Sequence, residues 1–439
     1  MIDDDSGEKD FHTGKVRFGA AMTLERRRFT GTIKRREHEF PIEFDVWSEE
    51  DGGLRVEVQP MPTQVVFKLQ AAMGEPASIS EALTLEGSSS DGTTFFSDTA
   101  DIRGARMGTH ENSISVAARK AKVVLPFAQP VEGPLMRLWF RGFKSFRNPI
   151  VNMSLGRVRV TGKEKNVDRD EMSGTVEVQA GPGTSLDGWF EKADDFLTFM
   201  HRGLGFAHGG RLQTPRLDVI TSDRWEAIYY EGDGFGHGLA PIHFLNQGPF
   251  IEALARRFDD PKPFPDMLWT AIGWLHIENP FDEARFLMSM TALEAVVEHL
   301  IPKTLTTVMP KPNFEPLREK LLQVLADSEV DQTSREIFEG KVKGLNGRAL
   351  SQKIEALRDH YGLSATIFTN EAIVDAIKAR NDIVHTGTNP GRRKIWPKVV
   401  FVRELISMIV FHETGYTGPY ESYISGYRMV HPQLKGGRG

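Results

Sequence analysis

NEAIVDAIKARNDIVHTG, Asn370 to Gly387, is the stretch that decides how the C-terminal half of this chain folds. On an ideal helix of about 100° per residue, Ile373, Ile377 and Val384 fall within about 40° of one another and form a narrow apolar stripe. Arg380 falls on one border of that stripe. Asn381 and His385, at i and i+4, fall together beyond the other. Thr386-Gly387 then signals the helix end. An arginine, an amide and an imidazole crowding the face that should be buried break binary patterning, and such breaks mark functional or specially paired positions.

Working outward, helical periodicity continues almost throughout from about Phe250. Helices are predicted at Gly248 to Arg257, Pro265 to His276, Pro280 to Leu300, Pro316 to Ala326, Thr333 to Lys343, Ala349 to Tyr361, Glu371 to Thr386 and Pro397 to Glu413. Several open on Pro in the first turn, where the missing N–H is not needed. Long amphipathic helices on short loops imply an all-α bundle over residues 249–439.

Residues 1–180 read differently, as short alternating or β-branched runs broken by Gly, Asp, Ser and Pro. FDVW (Phe44 to Trp47), LRVEVQ (Leu54 to Gln59), QVVFKLQ (Gln64 to Gln70), KVVLPF (Lys122 to Phe127), LMRLWF (Leu135 to Phe140), GRVRVTG (Gly156 to Gly162) and GTVEVQA (Gly174 to Ala180) are predicted strands of an antiparallel, sandwich-like or barrel-like domain. Residues 181–248 form a mixed connector: a helix carrying Trp189, Phe190, Phe196 and Phe199, then a strand pair at Leu217 to Ile220 and Trp225 to Tyr230. The fold class is therefore α+β and multidomain. GDGFGHG, Gly232 to Gly238, meets neither GxGxxG nor Walker A spacing and reads as a connector.

Composition narrows the function. The chain of 439 residues is 40% hydrophobic and 26% charged, with a net charge of −6. That charge argues against coating nucleic acid through a bulk field, although local basic patches remain: Arg26 to Arg28 with Lys34 to Arg36, and Arg119, Lys120 and Lys122. These patches read as solvated faces or as a surface for an anionic trigger. The absence of cysteine excludes thiolate nucleophiles, iron-sulfur clusters and cysteine zinc sites. No run of about 18 apolar residues is present, and the acidic start MIDDDSGEKD carries no export signal, so a cytoplasmic protein without a membrane partner is expected. His237 with His243, and His201 with His208, lack metal-ligand constellations, and no cofactor is expected.

RNDIVH at a helix end, within an all-α C-terminal half, resembles the R-x4-6-H motif of HEPN domains. The likeness extends through ALEAVVEHL (Ala292 to Leu300), LNGRALSQKIEALRDHYGL (Leu345 to Leu363) and VVFVRELISMIVFHE (Val399 to Glu413). A β-rich N-terminal half before such a domain is similar to the ApeA-type members of this family, which act in anti-phage defence by abortive infection. The resemblance implies a metal-independent endoribonuclease, with Arg380, Asn381 and His385 catalytic and RNA as substrate. It also implies a homodimer through the HEPN domain and a phage-derived trigger sensed by the β-rich half. Where some family toxins carry a modifiable tyrosine two residues after the histidine, this chain has Gly387.

The chemistry fits those residue types. RNA carries its own nucleophile, the 2′-OH, so cleavage needs a base, an acid and charge stabilisation at the phosphate. Histidine serves as base or acid near neutrality, and the arginine fork holds phosphate oxygens. Arg380 and His385 lie about 140° apart on one helix, which is awkward for a complete site. The family's answer is two motif helices facing across a dimer cleft.

Beside the motif, Arg392, Arg393, Lys394 and Lys398 surround Trp396, a pattern suited to RNA backbone contact with one stacking ring. Glu294, on the edge of its helix's apolar stripe, is the expected partner of Arg380. That pair serves either to hold two helices in register or to orient the arginine as a supporting residue. The alternative to the nuclease is a non-catalytic HEPN scaffold used for dimerisation and binding.

Overall fold

The computed structural model describes residues 24–36, 38–71, 82–108, 112–126, 131–232, 238–387 and 394–432. The chain divides into two compact units, one of Met1–Gly205, Leu212–Phe235 and Leu254–Asp259, the other of Phe206–Arg211, Gly236–Ala253 and Asp260–Gly439. The expected connector 181–248 is shared out between them. Among the described residues no helix is long and apolar enough to cross a membrane.

The first unit is built on antiparallel strands: β1 (Arg27–Arg35), β2 (His38–Ser48), β3 (Leu54–Val58), β4 (Leu83–Ser88), β5 (Thr94–Met107), β6 (Asn112–Ala118), β7 (Lys120–Pro126), β8 (Leu135–Arg141), β9 (Ile150–Met153), β10 (Gly156–Gly162), β11 (Met172–Gln179), β12 (Arg216–Ile220) and β13 (Arg224–Tyr230). The order β4-β1-β2-β3-β6-β5 closes on itself through β4–β5 pairing, so of the two expected forms, sandwich-like or barrel-like, this part is the barrel. Closure removes the edges that two stacked sheets would leave open. Alternation aims Phe29, Ile33, Phe44, Val46 and Phe95 inward, and the Phe29 and Phe44 rings stack 5.3 Å apart. Gly31 is required where β1 meets β4, because a Cβ there would lie 1.9 Å from the Glu86 carbonyl oxygen.

Gln64 to Gln70, expected as a strand, instead belongs to helix α1 (Thr63–Ala71). Its buried residues, Val66 and Leu69, are three apart, the helical spacing. Beyond the barrel the sheet runs on as β7-β13-β12-β8-β11-β10-β9, so the predicted strand pair β12–β13 is an integral part of it. Helix α2 (Trp189–His208) belongs mainly to this unit: Trp189 Nε1 donates to the Leu155 carbonyl at 2.9 Å, and the His201 ring stacks on Phe140 of β8. Two ion pairs are sealed in the sheet, Arg137–Glu177 at 2.6 Å and Arg216–Asp218 at 2.9 Å, with Trp139 Nε1 donating to Asp218 at 2.7 Å.

The second unit is helical: most of α3 (Gln247–Phe258), then α4 (Asp266–Leu275), α5 (Asp282–Leu300), α6 (Lys311–Ala326), α7 (Gln332–Gly344), α8 (Leu350–His360), α9 (Asn370–Thr386) and α10 (Trp396–Thr414), with a hairpin of β14 (Tyr420–Ser422) and β15 (Arg428–Val430). Helix α6 begins earlier than predicted, with Pro312 in its first turn and Pro316 inside it. Helix α10 is buried nearly all round and packs on α5, which also meets α4, α8 and α9. A helix buried on nearly every side is a bundle centre. This half thus matches the expected α-helical class.

Candidate functional site

Helix α9 is bounded as its sequence dictates. The Thr369 hydroxyl accepts from the Ala372 N–H at 3.2 Å, satisfying one first-turn donor. Gly387 takes the left-handed conformation at φ 67° and returns its N–H to the Ile383 carbonyl. The buried face, however, is made of Ile373, Ala376, Ala379 and Ile383. Its centre is rotated by about 80° from the expected stripe of Ile373, Ile377 and Val384. Val384 is 52% exposed and Val374 51% exposed. Two small alanines lie on the buried face, and the larger valines are left outside.

That rotation leaves Arg380 beside the buried face and turns His385 away from it. Arg380 stays at the border of the buried face and its guanidinium reaches α5: NH2 donates to Glu294 Oε2 at 3.3 Å. Nε stands 3.2 Å from Glu294 Oε1, close enough for an ion pair. Arg380 NH1 donates to Asn381 Oδ1 at 3.1 Å, so the amide steadies the arginine. His385 lies nearly opposite the buried face, exposed, and makes no hydrogen bond or ion pair among the described residues. One helix therefore presents a braced guanidinium on one side and an unengaged imidazole on another. The buried helix face is not the place where these residues meet.

The expected RNA contacts fare unevenly. Lys398 is tied to Asp375 of α9 and is not a free cation. Trp396 opens α10 with its ring 38% exposed, and the Arg285 guanidinium stands 5.9 Å from its centre. Lys394 is exposed. Arg392 and Arg393 lie outside the described residues. In the β-rich unit the basic patches are largely self-neutralised: Arg26 pairs with Asp45 and Glu57, Arg27 with Asp91, Arg28 with Glu43, and Lys122 with Glu226. Cross-strand charge pairing of this kind is the bland reading of those patches.

One feature escaped the sequence. Arg403, followed by Glu404, interrupts the largely apolar run Val399 to Phe411 on the central helix, and its side chain lies beside His276 at the end of α4. Burial, then repulsion from Arg403 and His208, holds the His276 imidazole down to about 3. The charged pair Arg403-Glu404 within a largely apolar helix was the signal available. The chain matches no family model, no curated protein and no solved structure in comparison.

Proposed function

We propose that the helical unit is a metal-independent endoribonuclease of HEPN type, acting in anti-phage defence from a cytoplasmic location. The observation that carries this reading is the arrangement on α9: Arg380 braced by Glu294 and Asn381, with His385 exposed on a neighbouring face. A guanidinium held by a carboxylate is preorganised to receive phosphate oxygens, and preorganisation spares the cost of orienting it during reaction. An exposed imidazole accepts the 2′-OH proton or protonates the leaving 5′-oxygen.

The angle between them calls for a second copy. Val374 and Val384 are exposed on the side of α9 that carries Asn381 and His385. Apolar side chains around an imidazole fit a two-fold contact in which each copy lends one histidine, one as base and one as acid. The β-rich unit then serves as sensor or restraint for a phage-derived trigger. Expression in cells tests the reading. Wild type should arrest growth and degrade RNA on phage infection, whereas His385→Ala and Arg380→Ala should do neither. Intact RNA under wild-type growth arrest would refute it.

The same exposed valines favour a second reading, a HEPN-like scaffold that dimerises without catalysis. It predicts that His385→Ala behaves as wild type in infected cells.

A further inference from the structure

We propose that a cleft formed by the end of α4 and the first halves of α5 and α10 binds a phosphorylated ligand with a planar ring, phosphate at Arg403 and Arg285, ring on Trp396. Two small adjoining hollows, of about 30 and 40 Å³, share Leu239, Leu275, His276 and Arg403 as walls. Trp396, Val399 and Arg403 lie three and four residues apart, so α10 turns all three into the cleft. Arg285 enters from α5 and lies over the Trp396 ring.

The positive charge here is only partly compensated: Arg285 pairs with Asp282 on its own helix at 3.9 Å. Among the described residues no carboxylate lies within ion-pair distance of Arg403, whose one side-chain hydrogen bond runs from NH1 to the Leu275 carbonyl. That bond caps α4 and uses one of five guanidinium donors. Burial and the nearby Arg285 lower Arg403 to about 10. The carboxylates in the adjoining hollow are engaged elsewhere: Glu404 accepts from Tyr420, Ser422 and the Tyr423 N–H, and Glu421 from Tyr423 and Tyr427. Glu278 stands on the wall of the cleft. The His276 ring makes no hydrogen bond among the described residues and faces the same space.

Two arginines, a half-buried imidazole and an exposed indole match a phosphate monoester attached to a base: the guanidinium forks take the oxygens and the indole takes the ring. Such a group comes from a free nucleotide or from the phosphorylated end of an RNA strand. Along α5, Arg285 and Glu294 are nine positions apart, about 13 Å of rise and on opposite faces, so the cleft is distinct from the Arg380 site.

The test uses the full chain carrying His385→Ala, so that no probe is cleaved. Binding of AMP, adenosine, inorganic phosphate and a 2′-O-methyl oligonucleotide with or without a 5′-phosphate is followed by calorimetry. AMP or the 5′-phosphorylated strand should bind saturably, with the dephosphorylated counterpart about tenfold weaker or worse. The tighter of the two identifies the source of the phosphate. Arg285→Ala and Arg403→Gln should each weaken binding about fivefold or more, and Trp396→Leu should weaken AMP while sparing inorganic phosphate. If Arg403→Gln does not fold, the half-exposed Arg285 decides. Equal affinity for AMP and adenosine, no saturation by any probe at about 10 mM, or undiminished binding by Arg285→Ala overturns the proposal. RNA cleavage by unmodified His385 protein is a separate readout, so this inference and the proposed function fail independently.

Discussion

Arg380 of α9 is gripped by Glu294 of α5 through two neighbouring contacts, NH2 to Oε2 at 3.3 Å and Nε to Oε1 at 3.2 Å. The two side chains remain 33% and 28% exposed, and water at that exposure screens the pair. Its contribution to stability is therefore expected to be about 1 kcal/mol or less. Glu294→Gln should barely shift a denaturation midpoint, yet it should slow RNA cleavage about tenfold by freeing the guanidinium. Single-turnover cleavage beside chemical denaturation separates the two effects. Unchanged cleavage would reduce the pair to a tie between helices.

Val374 and Val384 stand out of the helix on which His385 sits. A charged group at either position leaves the folded monomer almost untouched, because neither side chain is buried within it. Val384→Asp or Val374→Asp should instead oppose association of two α9 faces, which desolvates the new carboxylate. Sedimentation at micromolar concentration should show a wild-type dimer and monomeric variants. A wild type that is monomeric even with RNA bound removes the composite site.

How much of this was legible follows from the range of the interactions. Helices in the second half were readable because their periodicity and caps are local: Thr369 and Gly387 fix α9 within a residue of expectation. The buried face of α9 was misread because Ala376 and Ala379 are weak hydrophobic signals, whereas Val374 and Val384 are strong ones left outside. Gln64 to Gln70 was misread because Val65 and Val66 favour strands in isolation, and tertiary burial of Val66 and Leu69 prevails. Barrel closure depends on β4 meeting β5, a pairing that no local pattern announces. The cleft at Arg403 joins three segments distant in sequence, so only the charged pair Arg403-Glu404 in a largely apolar helix pointed to it.

The Arg137–Glu177 pair joins β8 to β11 with both side chains essentially inaccessible to solvent. Removing one partner leaves an unpaired charge in the sheet. Glu177→Ala should cost about 3–5 kcal/mol, enough to unfold a marginal domain, while replacing both residues by Met and Leu should cost far less. Urea denaturation of the three proteins decides it. Equal losses for the single and the double replacement would mean that the cost is one of packing and not of charge.

His276 gives the molecule a pH dependence with a definite sign. Its folded value, held down to about 3 by burial and by Arg403 and His208, lies below the ordinary 6.5. On acidification the unfolded chain takes up this proton first, so ∂ΔG/∂pH is positive between the two values. Stability from the neutral imidazole is complete above about pH 6.5 and is lost as the pH falls toward 3. Carboxylates titrate in the lower part of that window, so the informative quantity is the difference between wild type and His276→Gln from pH 7.5 to 5. Wild type should lose stability more steeply, by at most about one proton's slope, or about 1.4 kcal/mol per pH unit. Parallel curves would mean that His276 titrates normally in the folded protein, with Arg403 exerting no net field on it.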